Sequence, residues 1–295
     1  MHYRHAFHAA NFADVFKHVL LAGLLTALSR KDKPWVCIDT HAGAGAYELS
    51  SSEAGIGEEW RQGIARVDEA GDAAGAAVPE MVRQYRAALR ACGFDLAAGR
   101  MRYPGSPQLA CSLARPTIGD RLVLCEKIEP VADDLRREMR GAAVATQVHV
   151  RSGYEAWALL PPPEKRGLLL IDPPFEQGSE FDAIAELVTR AVARFANGVQ
   201  AIWYPLKDER ACGQFVRRVA RETGRPALDL RIETDAPARS VDANGIAKRR
   251  MTACGLLVVN PPFGFEDAAR AALPWLSERL ALGEAAGWSV QPVPT

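Results

Sequence analysis

From residue 121 to residue 259, short apolar runs alternate with longer amphipathic stretches, and this alternation limits the possible folds more than any other feature of the chain. The runs RLVLCE (121–126), QVHV (147–150), LLLID (168–172), VQAIW (199–203), LDLRI (228–232) and TACGLLVV (252–259) have strand length. Helical patterns fill most of the gaps, at 128–140, 153–160, 179–196 and 207–223. An earlier strand, Trp35 to Asp39, follows a helix over 11–30 that Asn11 caps and that carries Val15, Val19, Ala22, Leu25 and Leu28 at helical spacing. Strands alternating with helices predict an α/β fold with a doubly wound, mostly parallel sheet. The connection 233–251 shows no clear helix, so strand 252–259 is expected to enter antiparallel, as the seventh strand. Residues 50–105 differ: they are rich in Ala, Gly and Glu, show helical patterns at 58–70 and 78–92, and lack a convincing strand. The expected organisation is an amino-terminal motif with the first strand and a Gly-rich turn (1–49), an inserted helical subdomain (50–105) and the rest of the sheet domain (106–295).

Composition excludes several classes. Lys plus Arg and Asp plus Glu both total 36, so no global field draws the chain to nucleic acid, and a basic packaging protein is ruled out. Cations cluster only locally, at Lys248-Arg249-Arg250, at Arg217-Arg218 with Arg221, and at Arg100 with Arg102. Most such runs are solvated surface, but the 235–250 loop has the character to grip phosphates. Six cysteines are scattered without a C-x-x-C pair, which fits neither zinc nor a disulfide framework. The start lacks a signal-peptide core, and the apolar run Val19 to Leu28 is too short to span a bilayer. A soluble cytoplasmic protein without a membrane partner is expected.

Four segments carry candidate chemistry. The first is DTHAGAG at 39–45, where Gly43 and Gly45 behind the first strand let the backbone approach a nucleotide or nucleoside. By itself this is weak, since a tight strand-to-helix turn needs glycine anyway. The third glycine of a dinucleotide fingerprint is missing behind Gly45, which disfavours a nicotinamide cofactor. The second is Glu126 at the tip of the next strand, placed to accept from both hydroxyls of a ribose, unless it is only a solvated strand-end glutamate. The third, and sharpest, is Asp172-Pro173-Pro174-Phe175. Two prolines hold the backbone extended beyond the sheet and fix a carboxylate beside a bare carbonyl. Asp172 and the Pro173 carbonyl can accept both N–H groups of an exocyclic amine, favouring a tetrahedral nitrogen whose lone pair attacks. Phe175 can stack on the base, worth ~1–3 kcal/mol. Asn260-Pro261-Pro262-Phe263 has the same pattern, but an antiparallel strand would carry it to the opposite edge of the sheet, away from the ligand side.

The fourth segment is amino-terminal: Tyr3, Arg4, His5, His8, Asn11, Asp14, Lys17 and His18. Asp14, Lys17 and His18 share one helix face, which is most commonly a solvated polar face but here can pack beside the Gly-rich turn. The histidines match no compact ligand motif, so no metal is expected. Tyr3 and His5 sit on a tail able to close over a bound base. Ser106, within Tyr103-Pro104-Gly105-Ser106-Pro107, and Ser152-Gly153 after the third strand suit cofactor contacts, though each reads equally as turn chemistry. Trp203-Tyr204-Pro205 ends the fifth strand as a wall for the target pocket.

The order HAFHAANFADVFKH, DTHAGAG, YPGSP, LIDPPF, AIWYP and MTACGLLVVNPP closely resembles the bacterial ribosomal RNA large subunit methyltransferase J family over essentially the whole chain. The resemblance implies a Rossmann-like class I methyltransferase with an inserted helical subdomain, using S-adenosyl-L-methionine to methylate N6 of an adenine in 23S ribosomal RNA. It makes Asp172 the catalytic carboxylate. Lys17, His18, Asp39, His41, Gly43, Ser106, Glu126, Ser152, Gly153 and Asp172 fall at the cofactor, and Tyr3, His5, Pro173 and Phe175 at the substrate adenosine. Phe175 stands where Tyr is common in the family, keeping stacking but losing a hydroxyl. The expected partner is 23S rRNA, deproteinised or in an early assembly intermediate, met by a monomer. A DNA adenine-N6 methyltransferase and a non-catalytic RNA-binding assembly factor are the alternatives. The first has no block large enough for a target-recognition domain, and an intact Asp-Pro-Pro-Phe argues against the second.

Overall fold

The computed structural model describes residues 8–51, 58–68, 77–176, 179–236, 239–241, 247–249 and 251–295. The first helix, α1 (Phe12–Ser29), starts at Asn11, whose side-chain oxygen accepts from the backbone of Ala13 and Asp14. It is long and apolar enough to cross a membrane, yet 83% of it is buried inside the fold. After it come β1 (Val36–Asp39), β2 (Ala46–Glu48), α2 (Glu59–Gln62), α3 (Ile64–Asp68), α4 (Glu80–Ala91), β3 (Arg102–Pro104) and α5 (Ser106–Leu113). Then β4 (Arg121–Glu126), α6 (Glu129–Glu138), β5 (Ala145–Val150), β6 (Gly167–Ile171), α7 (Glu180–Arg194), β7 (Val199–Pro205) and α8 (Glu209–Thr223) alternate. The chain ends with β8 (Ala227–Glu233), the ribbon β9 (Arg239–Val241) and β10 (Ala247–Arg249), β11 (Ala253–Val259), α9 (Phe265–Leu280) and β12 (Gly287–Val293).

The main sheet has eight strands in the order β12-β8-β11-β7-β6-β1-β4-β5. Strands β5, β4, β1, β6 and β7 pair in parallel, while β11 runs antiparallel to both β7 and β8, as its helix-free connection predicts. The expected count of seven falls short by β12, which pairs antiparallel with β8. Its sequence, GWSVQPV, gives little strand signal because only Val290 and Val293 are buried. A proline is tolerated there because an edge strand leaves one row of backbone groups unpaired.

Both faces of the sheet are covered, which is why β1 and β6 are buried at every position. Cys37, Leu122, Leu168 and Leu256 share a core with α1, α4, α5 and α9, while Val36, Val123, Leu169 and Ile202 pack under α7 and α8. The segment 50–105 departs from its expectation in two places. It contributes β3, whose Tyr103 pairs with Tyr47 of β2, and its first helix breaks at Gly63 into α2 and α3. A three-residue ribbon is too short to leave a period in the sequence. The 153–160 helix is a 3-10 helix, Gly153–Leu159.

Strand register brings the candidate segments to one edge. Asp39 pairs with Leu124 and Leu170, and Glu126 with Val150, so β1, β4, β5 and β6 all end together. The antiparallel direction of β11 carries Asn260 to the far edge, where its side-chain amide donates to the carbonyls of Ala196 and Gly198. Phe263 points into solvent, 95% exposed. The second Pro-Pro motif is thus a turn far from the first.

Candidate functional site

Asp172 leaves the end of β6 and meets the one ammonium that α1 buries beneath it. Lys17 Nζ donates to Asp172 Oδ2 at 2.5 Å and to Asp14 Oδ1 at 2.9 Å. Burial alone would pull the Lys17 ammonium down, but the charges of Asp14 and Asp172 and their hydrogen bonds outweigh it, so its pKa lies well above the ordinary value. Asp14, Lys17 and His18 are all buried, not a solvated face. Asp14 joins this pair through its i,i+3 spacing to Lys17.

The next residues shape the mouth. Pro173 is buried and Pro174 exposed, while Phe175 adopts φ +52°, a left-handed conformation that non-glycine residues hold only under constraint. Its ring meets Phe181 and Trp203 edge-on, with centroids 5.4 and 5.8 Å away. Trp203 therefore does wall this corner.

At the end of β1, Asp39 is 1% exposed and accepts from the Ser106 hydroxyl at 2.6 Å and the His41 backbone N–H at 3.1 Å. Burial dominates those two bonds and raises its pKa to about 6. A carboxyl raised in the folded state contributes full stability below its unfolded value near 4 and loses it as pH rises through about 6. Asp39→Asn is accordingly expected to gain on the order of 3 kcal/mol over the wild-type chain at pH 8 and nothing at pH 4. Urea unfolding at the two pH values measures this, and a gain of equal size at both would exclude a protonation origin.

His41 is pushed down to about 4 by burial, against the opposing pull of Asp172, so its imidazole is neutral at pH 7. Its Nδ1 lies 2.7 Å from Thr40 Oγ1, and its ring meets Tyr154 edge-on. Gly153 packs so closely here that a Cβ would sit 2.1 Å from the Thr40 carbonyl oxygen and 2.7 Å from His41 Cε1. The first and third strand-end turns are thus one packed unit, and Ser152 begins the 3-10 helix beside it. Glu126 accepts from the backbone N–H groups of Gly43 at 3.1 Å and Ile128 at 2.8 Å, which aim its carboxylate at the Gly-rich turn.

Gly43 has φ +60°, and a Cβ there would lie 2.3 Å from the Tyr47 hydroxyl. His18 Nδ1 lies 2.8 Å from the Tyr103 hydroxyl, which in turn contacts the Tyr85 hydroxyl at 2.9 Å. That pair ties α1 to β3 and α4, a link no sequence pattern announced.

The structure therefore brings Lys17 to Asp172, Ser106 and His41 to Asp39, Gly43 to Glu126 and Gly153 to His41. Tyr3, His5 and half of the 235–250 loop lie outside the described residues. Among the described residues no group of three His, Cys, Asp or Glu side chains is placed to hold a metal. The polar groups do fit a nucleoside bearing a cation. Glu126, anchored by two backbone N–H groups, could accept from a ribose diol, and the carboxylates of Asp39 and Asp172 could face a cation.

Comparison with known proteins points the same way. The profile of the family described as "Ribosomal RNA large subunit methyltransferase D, RlmJ" matches residues 32–293. Proteins named ribosomal RNA large subunit methyltransferase J are similar: that of Escherichia coli K12 is 34% identical over 94% of this chain and 93% of its own length. That of Haemophilus influenzae is 32% identical over 98% and 97%. A crystal structure of a Legionella pneumophila protein superposes with a TM-score of 0.82 at 30% identity, covering 96% of this chain and 98% of that one.

Proposed function

The chain belongs to the ribosomal RNA large subunit methyltransferase J family, and from that membership and the geometry around Asp172 we propose that it methylates N6 of an adenine in 23S rRNA, with S-adenosyl-L-methionine as donor. The observation that carries the site assignment is the Lys17–Asp172 pair at the carboxyl edge of the sheet. Lys17 donates to Asp172 Oδ2, and Oδ1 would receive the incoming amine. Glu126 would hold the ribose hydroxyls of the cofactor and Asp39, Ser106 and His41 its amino-acid end, while the cofactor supplies the methyl group and its positive sulfonium. The side-chain charges of Asp39 and Asp172 suit that cation.

The chain's own part in the reaction is orientation and electrostatics. Asp172 Oδ1 and the Pro173 carbonyl accept the two N–H groups of N6, drawing its lone pair out of conjugation with the purine ring. The Lys17 ammonium fixes Asp172 in place. Phe175, braced by Phe181 and Trp203, offers an aromatic surface to the base. The N6 proton leaves late, so no strong base is needed, and the target base must be splayed from its stack to reach the pocket. Tyr3 and His5 would close over the adenosine.

The deciding assay compares methyl incorporation into deproteinised 23S rRNA, assembled large subunits and duplex DNA. Deproteinised RNA is expected to label best, at an adenine N6. Preferential labelling of duplex DNA would sink the RNA assignment, and no labelling of any substrate would favour an assembly factor.

A further inference from the structure

The short stretch that precedes α1 is held by the inserted segment. Glu59 Oε2 lies 3.1 Å from His8 Nδ1 and accepts from Asn11 Nδ2 at 3.0 Å. Asn11 then turns its own oxygen to the Ala13 and Asp14 N–H groups, 2.9 and 3.1 Å away, and so fixes the first turn of α1. Between them, Ala10 is fully buried at φ +63°, a left-handed conformation that an L-residue holds only under constraint.

Such strain persists only where neighbours over-determine it. Ala10 N–H donates to Asp14 Oδ2 at 2.9 Å, and its carbonyl accepts from the Ile64 N–H at 3.0 Å. The approach is so close that a Cβ on Gly63 would lie 2.1 Å from that carbonyl oxygen. Gly63 is also where α2 and α3 part, so the break in the helix makes room for Ala10. The other oxygen of Asp14 holds Lys17 at 2.9 Å, and Lys17 holds Asp172. An unbroken set of contacts thus runs from Glu59 through Asn11, Asp14 and Lys17 to the carboxylate at the mouth.

We propose that the Glu59–Gly63 turn of the inserted segment is a positioning element for methyl transfer, with Glu59 setting Asp172 through Asn11, Asp14 and Lys17. This rests on the reading that Asp172 receives the N6 amine. Glu59 touches no reacting atom in this arrangement. Its removal frees the Asn11 amide and loosens the strained turn on which Asp14 depends, so the carboxylate loses its register with the amine.

The test uses Glu59→Ala, Glu59→Gln, Asp172→Asn and the Glu59→Ala/Asp172→Asn double variant of the full chain. The readout is single-turnover methyl transfer at saturating 23S rRNA and S-adenosyl-L-methionine, with melting temperatures recorded alongside. A misplacement of an ångström or less supports a rate loss of ~10-fold for Glu59→Ala. Glu59→Gln keeps an acceptor oxygen for both donors and should stay within ~3-fold of wild type, since a neutral acceptor makes the same bonds more weakly. In the Asp172→Asn background the Glu59→Ala loss should shrink below ~2-fold, because residues acting as a unit are non-additive. A Glu59→Ala protein that melts lower yet transfers methyl at the wild-type rate overturns the proposal, as does an undiminished loss in the Asp172→Asn background. If Asp172→Asn itself turns over like wild type, it is the underlying site assignment that fails.

Discussion

Asp172→Ala should lower single-turnover methylation of 23S rRNA by about 10²–10³-fold or more, the effect of deleting one preorganised group aimed at the charge of a transition state. The affinity for S-adenosylhomocysteine, read by calorimetry, should stay within about tenfold, because the ribose acceptor Glu126 and the Asp39–Ser106 pair are untouched. Lys17 keeps Asp14 at 2.9 Å in this variant, so no buried charge is stranded and the chain should still fold. A protein that keeps near-normal turnover would show that the amine is received elsewhere. One that loses the cofactor and the rate together would make Asp172 a cofactor ligand first. The contrast between rate and affinity is the informative quantity, since only an interaction made in the transition state lowers one without the other.

How much of this was legible beforehand follows from the range of the interactions involved. Strands β1, β4, β6, β7 and β11 stand out because each is a nearly continuous apolar run, as burial on both faces demands, while β8 shows apolar residues in alternation. The antiparallel entry of β11 followed from a connection without a helix, and that one inference separated Asp172 from Asn260. Strand β12 was missed because an edge strand with two buried side chains resembles a polar tail. Within the site, Asp172 and Glu126 were visible as strand-end carboxylates. Their partners were not: the Lys17–Asp172 contact joins residues 155 apart, and the Gly43–Glu126 contact residues 83 apart. Asp14 shares a helix face with Lys17, but i,i+3 spacing alone shows neither its burial nor its bond to the Ala10 N–H. Glu59 carried no signal at all. Its importance comes from where the inserted segment folds back, which is a property of packing and not of local pattern.

Lys17→Met makes the strongest demand on this picture, because it removes the shared cation and keeps most of the side-chain volume. Asp14 and Asp172 then lose the ammonium they share, and breaking a buried pair from one side typically costs about 3–5 kcal/mol. For a chain of this size the melting temperature should fall on the order of 10 °C at pH 8. Adding Asp14→Asn should restore part of the lost stability by removing one of the two carboxylates that share the ammonium. It should not restore methyl transfer, because Asp172 still lacks the group that fixes it. Recovery of both together would mean that Lys17 serves only to hold the fold.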